Sequence, residues 1–241
     1  MQIDPERCRC CLDCLPVCPV GAIQLKDKQV FVDQSECVEC GVCLRLGICS
    51  EHALWVQDPL PYPRIIRAAF SNPLHRHDST DVLGRGTEEM KTNDHKNEFT
   101  EEVIGFSVEI GRPGVGARLA ELDKVTRKVI DLGGTFATYN PVLALMADTR
   151  TGALKREVLE EKVLSAIAEF TVPAKTALDT LAALIEFINT ELATVATVSL
   201  IVRNQPDGAL PFFEKLIRHG ERIGFTPYPN GKVNIGLARQ S

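Results

Sequence analysis

Nine cysteines fall between Cys8 and Cys49, and none follows in a chain of 241 residues. No other feature limits the fold as strongly. A disulfide scaffold distributes its cysteines through a small secreted domain. Here a cysteine-rich head precedes a cysteine-free body, which reads as metal binding. The opening Met1-Gln2-Ile3-Asp4-Pro5-Glu6-Arg7-Cys8 has no apolar core of an export leader, and no run approaches the ~18 apolar residues of a membrane span. The cytoplasm is therefore the expected compartment. With 32 acidic against 27 basic residues, a net of −5, a nucleic-acid partner has no electrostatic support.

The head is an internal repeat, and repeats dictate architecture. Ile3-Asp4 recurs as Val32-Asp33, and Cys8, Cys11 and Cys14 recur 29 residues later as Cys37, Cys40 and Cys43. Ala22-Ile23 and Leu25 recur 31 residues later as Ala53-Leu54 and Val56. The offset grows because the second copy has five residues between its third and fourth cysteines where the first has three. Ile23-Gln24-Leu25 and Val30-Phe31-Val32 flank a Lys-Asp-Lys turn and predict a short hairpin.

Cys8-x2-Cys11-x2-Cys14-x3-Cys18-Pro19 matches the C-x2-C-x2-C-x3-C-P run that holds iron–sulfur cubanes. Three thiolates reach three corners of one cubane from a tight loop, and the fourth departs toward a second cluster, where Pro19 helps to turn the chain. Cys37-x2-Cys40-Gly41-Val42-Cys43-x5-Cys49 is the partner motif. Together the two motifs, over roughly the first quarter of the chain, resemble a bacterial ferredoxin with two 4Fe-4S clusters. The resemblance implies that Cys8, Cys11, Cys14 and Cys49 hold one cluster and that Cys37, Cys40, Cys43 and Cys18 hold the other. Two departures, the five-residue spacing before Cys49 and Ser50 in place of a proline, bear on the surroundings of the first cluster and remove no ligand. Two structural zinc sites are the alternative, but zinc gives no reason for three cysteines in seven residues repeated in tandem. A further alternative is that the clusters only staple a head too small to fold alone. Cys10 has no slot in the pattern and reads as a surplus, packed thiol.

Residues 1–58 carry nine acidic and five basic side chains. Cluster charge adds to that excess, so the expected redox partner presents a basic docking face. Residues 59–100 read as a connector, with Pro59, Pro61, Pro63 and Pro73, then Gly84-Arg85-Gly86 and the polar run Thr92-Asn93-Asp94. Its stretch Gly84–Asp94 resembles segments beside the ferredoxin part of iron–sulfur reductases such as 6-hydroxynicotinate reductase, and a surface loop or docking strap is the alternative. His75 and His77 are expected to be solvated.

From residue 101 the apolar periods are clean. Ile104, Phe106, Val108 and Ile110 alternate as a strand, and Leu122, Val125, Val129 and Leu132 follow at helical spacing before Gly133-Gly134. Thr135–Tyr139 predicts a second strand ended by Asn140-Pro141, and Leu164–Val172 a third. Leu178, Leu181, Ile185, Ile188 and Leu192 predict a long helix, and Ala196–Val202 a fourth strand. The expected fold class is α+β: a two-cluster ferredoxin head followed, over 101–241, by the βαββαβ order of a ferredoxin-like plait. An extra helix at Phe213, Leu216, Gly220 and Ile223 is expected after it, then a strand pair around Asn230-Gly231, with Val233, Ile235 and Leu237.

Gly111-Arg112-Pro113-Gly114-Val115-Gly116 joins the first of these strands to the first helix. It resembles the Pro-Gly loop of small-molecule-sensing ACT domains, which implies a ligand contact. Gly111, Gly114 and Gly116 would expose backbone N–H groups at a helix N-terminus, and Arg112 adds positive charge, an arrangement suited to a small anionic ligand. A tight turn that needs positive φ explains the same glycines, and both readings stand. No nucleophile elbow, nucleotide fingerprint or zinc-hydrolase motif is present. The expected function is one-electron relay with the body as a docking or ligand-binding module. The alternatives are an electron-transfer subunit of a ferredoxin- or flavin-dependent reductase complex, and a redox or metabolite sensor.

Overall fold

The computed structural model describes residues 1–79, 81, 83, 99–112, 114–203, 205 and 207–224. The expectations for Gly84–Asp94 and for the strands around Asn230-Gly231 lie outside these residues, as does Pro113.

In the head, β1 (Gln2–Ile3), the hairpin β2 (Ile23–Lys26) and β3 (Gln29–Val32), α1 (Val42–Arg45) and β4 (Leu54–Trp55) follow in order. The opening strand of each repeat copy pairs with the closing strand of the other: Ile3 lies opposite Leu54, and Val32 opposite Ile23. The repeat extends to the backbone. Asp4 N–H donates to Ala53 O at 2.8 Å and Asp33 N–H to Ala22 O at 2.7 Å; Cys8 N–H reaches Asp4 O and Cys37 N–H reaches Asp33 O. Positive φ also recurs in register, at Cys10 and Glu39, at Leu12 and Gly41, and at Gly21 and His52. Asp27 and Lys28 both have positive φ, as a two-residue turn matching strand twist demands. Met1, Ala22, Ile23, Val30, Val32 and Leu54 form the small apolar core beneath the cysteine loops.

Within the expected connector, α2 (Ile65–Ser71) forms after Pro59 and Pro63. The prolines mask a short amphipathic segment: Ile66 and Phe70, one turn apart, are buried in the core of the body. His77, expected in solvent, is only 6% exposed because its ring stands edge-on to Phe70 at 5.1 Å.

The body runs β5 (Val103–Ile110), β6 (Ala117–Arg118), α3 (Leu119–Asp131), β7 (Thr135–Phe136), β8 (Met146–Asp148), β9 (Ala153–Leu154), β10 (Lys162–Val163), β11 (Ala166–Pro173), α4 (Ala177–Glu191), β12 (Ala196–Ile201) and α5 (Pro211–Gly220). The main sheet has the order β12-β5-β11-β7 with every neighbour antiparallel. Ile104, Phe106, Val108 and Ile110 face one way and bury against Leu122, Val125 and Val129 of α3 and Leu181 and Leu184 of α4. This is the 2.0 and 3.6 periodicity of the sequence realised in one core. Phe106 and Phe170 stack across it at 5.4 Å. The second strand is shorter than expected. It stops at Phe136 and the chain turns at Asn140, whose side chain accepts from Val142 N–H at 2.9 Å and donates to Ile167 O at 3.0 Å. On the opposite sheet face Phe99 lies over Gly105, where a Cβ would meet its ring at 2.3 Å.

Candidate metal centre

Cys18, Cys37, Cys40 and Cys43 line one cavity together with Met1, Val20, Ile23 and Val38. Cys37, Cys40 and Cys43 are buried, and burial pushes the Cys43 thiol up to about 11, with the neighbouring Cys40, Cys37 and Cys18 adding to the rise. The Cys14 thiol is raised in the same way. Burial leads, its own backbone N–H opposes, and Cys11, Cys8 and Cys49 add to it. Thus Cys43 senses the charges of one set of three cysteines and Cys14 those of the other. Each set of four draws one member from the far motif. Thiols held this high are protonated at neutral pH, so loading them with metal must release protons.

The fourth cysteines are placed alike despite their different spacing. Cys18 Sγ accepts from Ala22 N–H at 3.2 Å, and Cys49 Sγ from Ala53 N–H at 3.3 Å. The two extra residues before Cys49 are absorbed in the turn after α1, and the anchoring alanine stays in register. Among the described residues, no three side chains of Cys, His, Asp or Glu converge as the ligands of one ion would. A cubane instead takes its four thiolates at separate corners, which suits the two sets. Cys10 stands apart from both: its Sγ donates to Lys28 O at 3.3 Å, across the head. Its left-handed backbone matches that of Glu39 in the second copy.

Charged side chains that the sequence analysis passed over brace the second loop. Arg45 Nη1 donates to Cys40 O at 2.6 Å. Arg64 binds Glu39 through Nε at 2.7 Å and Gln34 Oε1 through Nη2 at 2.7 Å. Burial works to raise the Glu39 carboxyl, but the Met1 amino group and Arg64 outweigh it and hold that carboxyl below its usual range. Between head and body, Glu36 pairs with both Arg118 and Lys162, and Arg67 pairs with Glu161. The available signal was Arg64-x2-Arg67, two cations one helical turn apart in an otherwise apolar stretch. Also missed was the outer face of the main sheet, where Ser199, Ser107 and Glu169 occupy one rung and Glu169 is fully buried.

Backbone contacts pin the two ends of the Gly111–Gly116 loop. Gly111 and Gly116 have positive φ, and a Cβ at either would stand 2.8 Å from the carbonyl oxygen of Leu164 or Val163. Their N–H groups donate to Val195 O and Gly111 O. Two N–H groups of the helix N-terminus expected to receive an anion already have partners, since Leu119 N–H donates to Glu161 O and Ala120 N–H to Leu159 O, both at 2.9 Å. Arg112, half exposed, pairs with Glu109 at 3.3 Å. Packing against the 163–164 backbone requires glycine at Gly111 and Gly116 but not at Gly114, where an added Cβ meets nothing within 4 Å.

Residues 1–46 match the model of the 4Fe-4S dicluster domain. Over 52 residues, 20% of this chain and 80% of the relative, the sequence is 40% identical to the ferredoxin-like protein in vnf region of Azotobacter vinelandii. The chain belongs to the dicluster ferredoxin family. It is also 48% identical over 40 residues to Ferredoxin-1 of Rhodobacter capsulatus, 17% of this chain, and spans 62% of that ferredoxin's length. No solved structure matches. As a dicluster ferredoxin the head carries two 4Fe-4S clusters, and the donor set fits them: eight thiols in two groups, with Cys10 apart. The ferredoxin matches cover no more than a fifth of the chain, so the body is read from its own geometry. Among the described residues no helix is long and apolar enough to cross a membrane.

Proposed function

We propose that this chain is a cytoplasmic electron-transfer protein whose head, residues 1–58, serves one-electron relay and whose body, residues 101–241, is a docking module. Cys8, Cys11, Cys14 and Cys49 hold one cluster in this reading, and Cys18, Cys37, Cys40 and Cys43 the other. The observation that carries it is the interleaving of the two cysteine sets. When bound, 4Fe-4S clusters supply one-electron carriers at low potential. Cys11 is exposed while Cys37, Cys40 and Cys43 are buried, so the first set marks the edge at which a partner is met. The acidic excess of the head favours a partner with a basic face and a salt-dependent encounter. The sheet order β12-β5-β11-β7, with α3 and α4 on one face, supports a ferredoxin-like plait for the body. Nine unpaired thiols suit a reducing compartment.

A second reading, the electron-transfer subunit of a reductase complex, is favoured by the way the head is fastened. Glu36 and Arg67 tie it to β6, β10 and the residue before β10, and Tyr62 OH reaches Glu157 at 3.1 Å. A carrier that only needs a tether has no use for a fixed orientation between clusters and body. Residues 59–71 accordingly act as a packed strut in this reading.

Anaerobically prepared protein is expected to hold about eight iron and eight sulfide per chain. Cys10→Ser is expected to keep all of it, while Cys18→Ser loses or converts the cluster of the second loop. Zinc in place of iron, or loss of a cluster in Cys10→Ser, overturns the assignment. Recovery from the native host in a stable complex with a flavin- or metal-bearing protein selects the subunit reading, and a lone chain active with soluble acceptors selects the carrier.

A further inference from the structure

Arg67 is 6% exposed, and its guanidinium is engaged through Nε and Nη1. Nη1 donates to Gln34 O at 2.8 Å, Ser35 O at 3.3 Å and Cys37 O at 2.8 Å, the carbonyls that lead the chain into the second cysteine loop. Nε pairs with Glu161, itself 9% exposed and carried by the body just before β10. A buried cation costs several kcal/mol of desolvation unless its partners are well placed. Packing alone is met more cheaply by an apolar residue at this position of α2. A fixed positive charge hydrogen-bonded to the Cys37 carbonyl has an electrostatic consequence for the second cysteine loop that no apolar side chain supplies.

We propose that Arg67 is a positioning residue that raises the reduction potential of the cluster site formed by Cys18, Cys37, Cys40 and Cys43, and that Glu161 is its counter-charge. The seating of the body on the head is thereby sensed at one cluster site and not at the other. Four thiolates around an oxidised cubane give about two formal negative charges. One electron from a strong chemical reductant adds a third, with no proton or ligand exchanged. The attraction of Arg67 for that site is therefore greater after the electron arrives, and Glu161 opposes it. Among the described residues, neither side chain hydrogen-bonds or pairs with the Cys8, Cys11, Cys14 and Cys49 set. Its site serves as the internal reference.

The inference rests on the cysteine assignment above, and the experiment separates the two. Iron content and the paramagnetic signals of both reduced clusters are recorded first on wild type and Cys18→Ser; a Cys18→Ser protein with two intact clusters overturns the assignment itself. Midpoints are then followed by dithionite titration in Arg67→Met, Arg67→Lys and Glu161→Gln. Arg67→Met is expected to lower one midpoint and Glu161→Gln to raise that same midpoint. Arg67→Lys keeps the charge and stays nearer to wild type than Arg67→Met, although its single ammonium cannot reproduce the fork and weakens head–body docking. Faster amide exchange over residues 34–38 in the metal-free protein measures that weakening. A purely structural role moves Arg67→Met and Glu161→Gln in the same direction, or moves stability and exchange without any potential. Either result in an eight-iron protein overturns the role of Arg67. Should Arg67→Met fail to fold, an unshifted or lowered midpoint in Glu161→Gln refutes it alone.

Discussion

Placing alanine in turn at Gly111, Gly114 and Gly116 separates a packed turn from a ligand loop. All three have positive φ, at 85°, 67° and 67°, so each alanine incurs the left-handed cost of about 1–2 kcal/mol. Beyond that the sites differ. At Gly114 an added Cβ meets nothing within 4 Å. At Gly111 it stands 2.8 Å from Leu164 O and 3.0 Å from Ala117 N, and at Gly116 2.8 Å from Val163 O. These neighbours are backbone in the β6–β10 pair and the entry to β11, so they yield only by moving strands, which adds about 1–3 kcal/mol of overpacking. Gly114→Ala is therefore expected to cost about 1–2 kcal/mol, and Gly111→Ala and Gly116→Ala about 2–5 kcal/mol each. Urea unfolding followed by the fluorescence of Trp55 and by far-ultraviolet dichroism reads the order. Arg112→Ala removes an exposed pair and is expected to change stability by about 0–1 kcal/mol. Equal losses at Gly111 and Gly114 refute the packing argument. Loss of a phosphate- or carboxylate-induced thermal shift in Arg112→Ala refutes the turn reading.

Burial, with the charge of His75 adding and that of Asp78 opposing, holds the His77 imidazole below its usual 6.5. The unfolded chain therefore binds the proton first, and local stability falls as pH drops below about 6.5, by at most about 1.4 kcal/mol per unit. Amide exchange over residues 65–79 at pH 7.5 and 5.5 is expected to accelerate at the lower pH in wild type and to change less in His77→Gln; identical pH responses refute it. Asn140→Ala strands Val142 N–H and Ile167 O inside the body and is expected to cost about 1–3 kcal/mol in urea unfolding, and a neutral result shows that water replaces the side chain.

Much of this protein was legible in the residue order because the physics involved is local. Iron–sulfur ligation needs thiols at fixed short spacings, so Cys8-x2-Cys11-x2-Cys14 and its echo from Cys37 declare their chemistry before any packing is known. Ile104, Phe106, Val108 and Ile110 likewise declare a half-buried strand, and Leu122, Val125 and Val129 a helix face, since periods of 2.0 and 3.6 follow from backbone geometry alone. What stayed hidden depends on contacts between residues far apart in the chain. Arg67 and Glu161 are 94 residues apart, and neither reads as more than a surface charge until α2 is laid between the cysteine loop and β10. The Gly111 loop is the same lesson in reverse. Its glycines suggested open N–H groups, and only the strand pairing beyond it filled the space with the carbonyls of Val163 and Leu164. Local spacing determined the cofactor, the long strands β5, β11 and β12 and the helices α3 and α4. Tertiary packing decided which buried charges brace the second cysteine loop and which carbonyls take the N–H groups of Leu119 and Ala120, because both turn on which backbone carbonyl lies within 3 Å of a given donor.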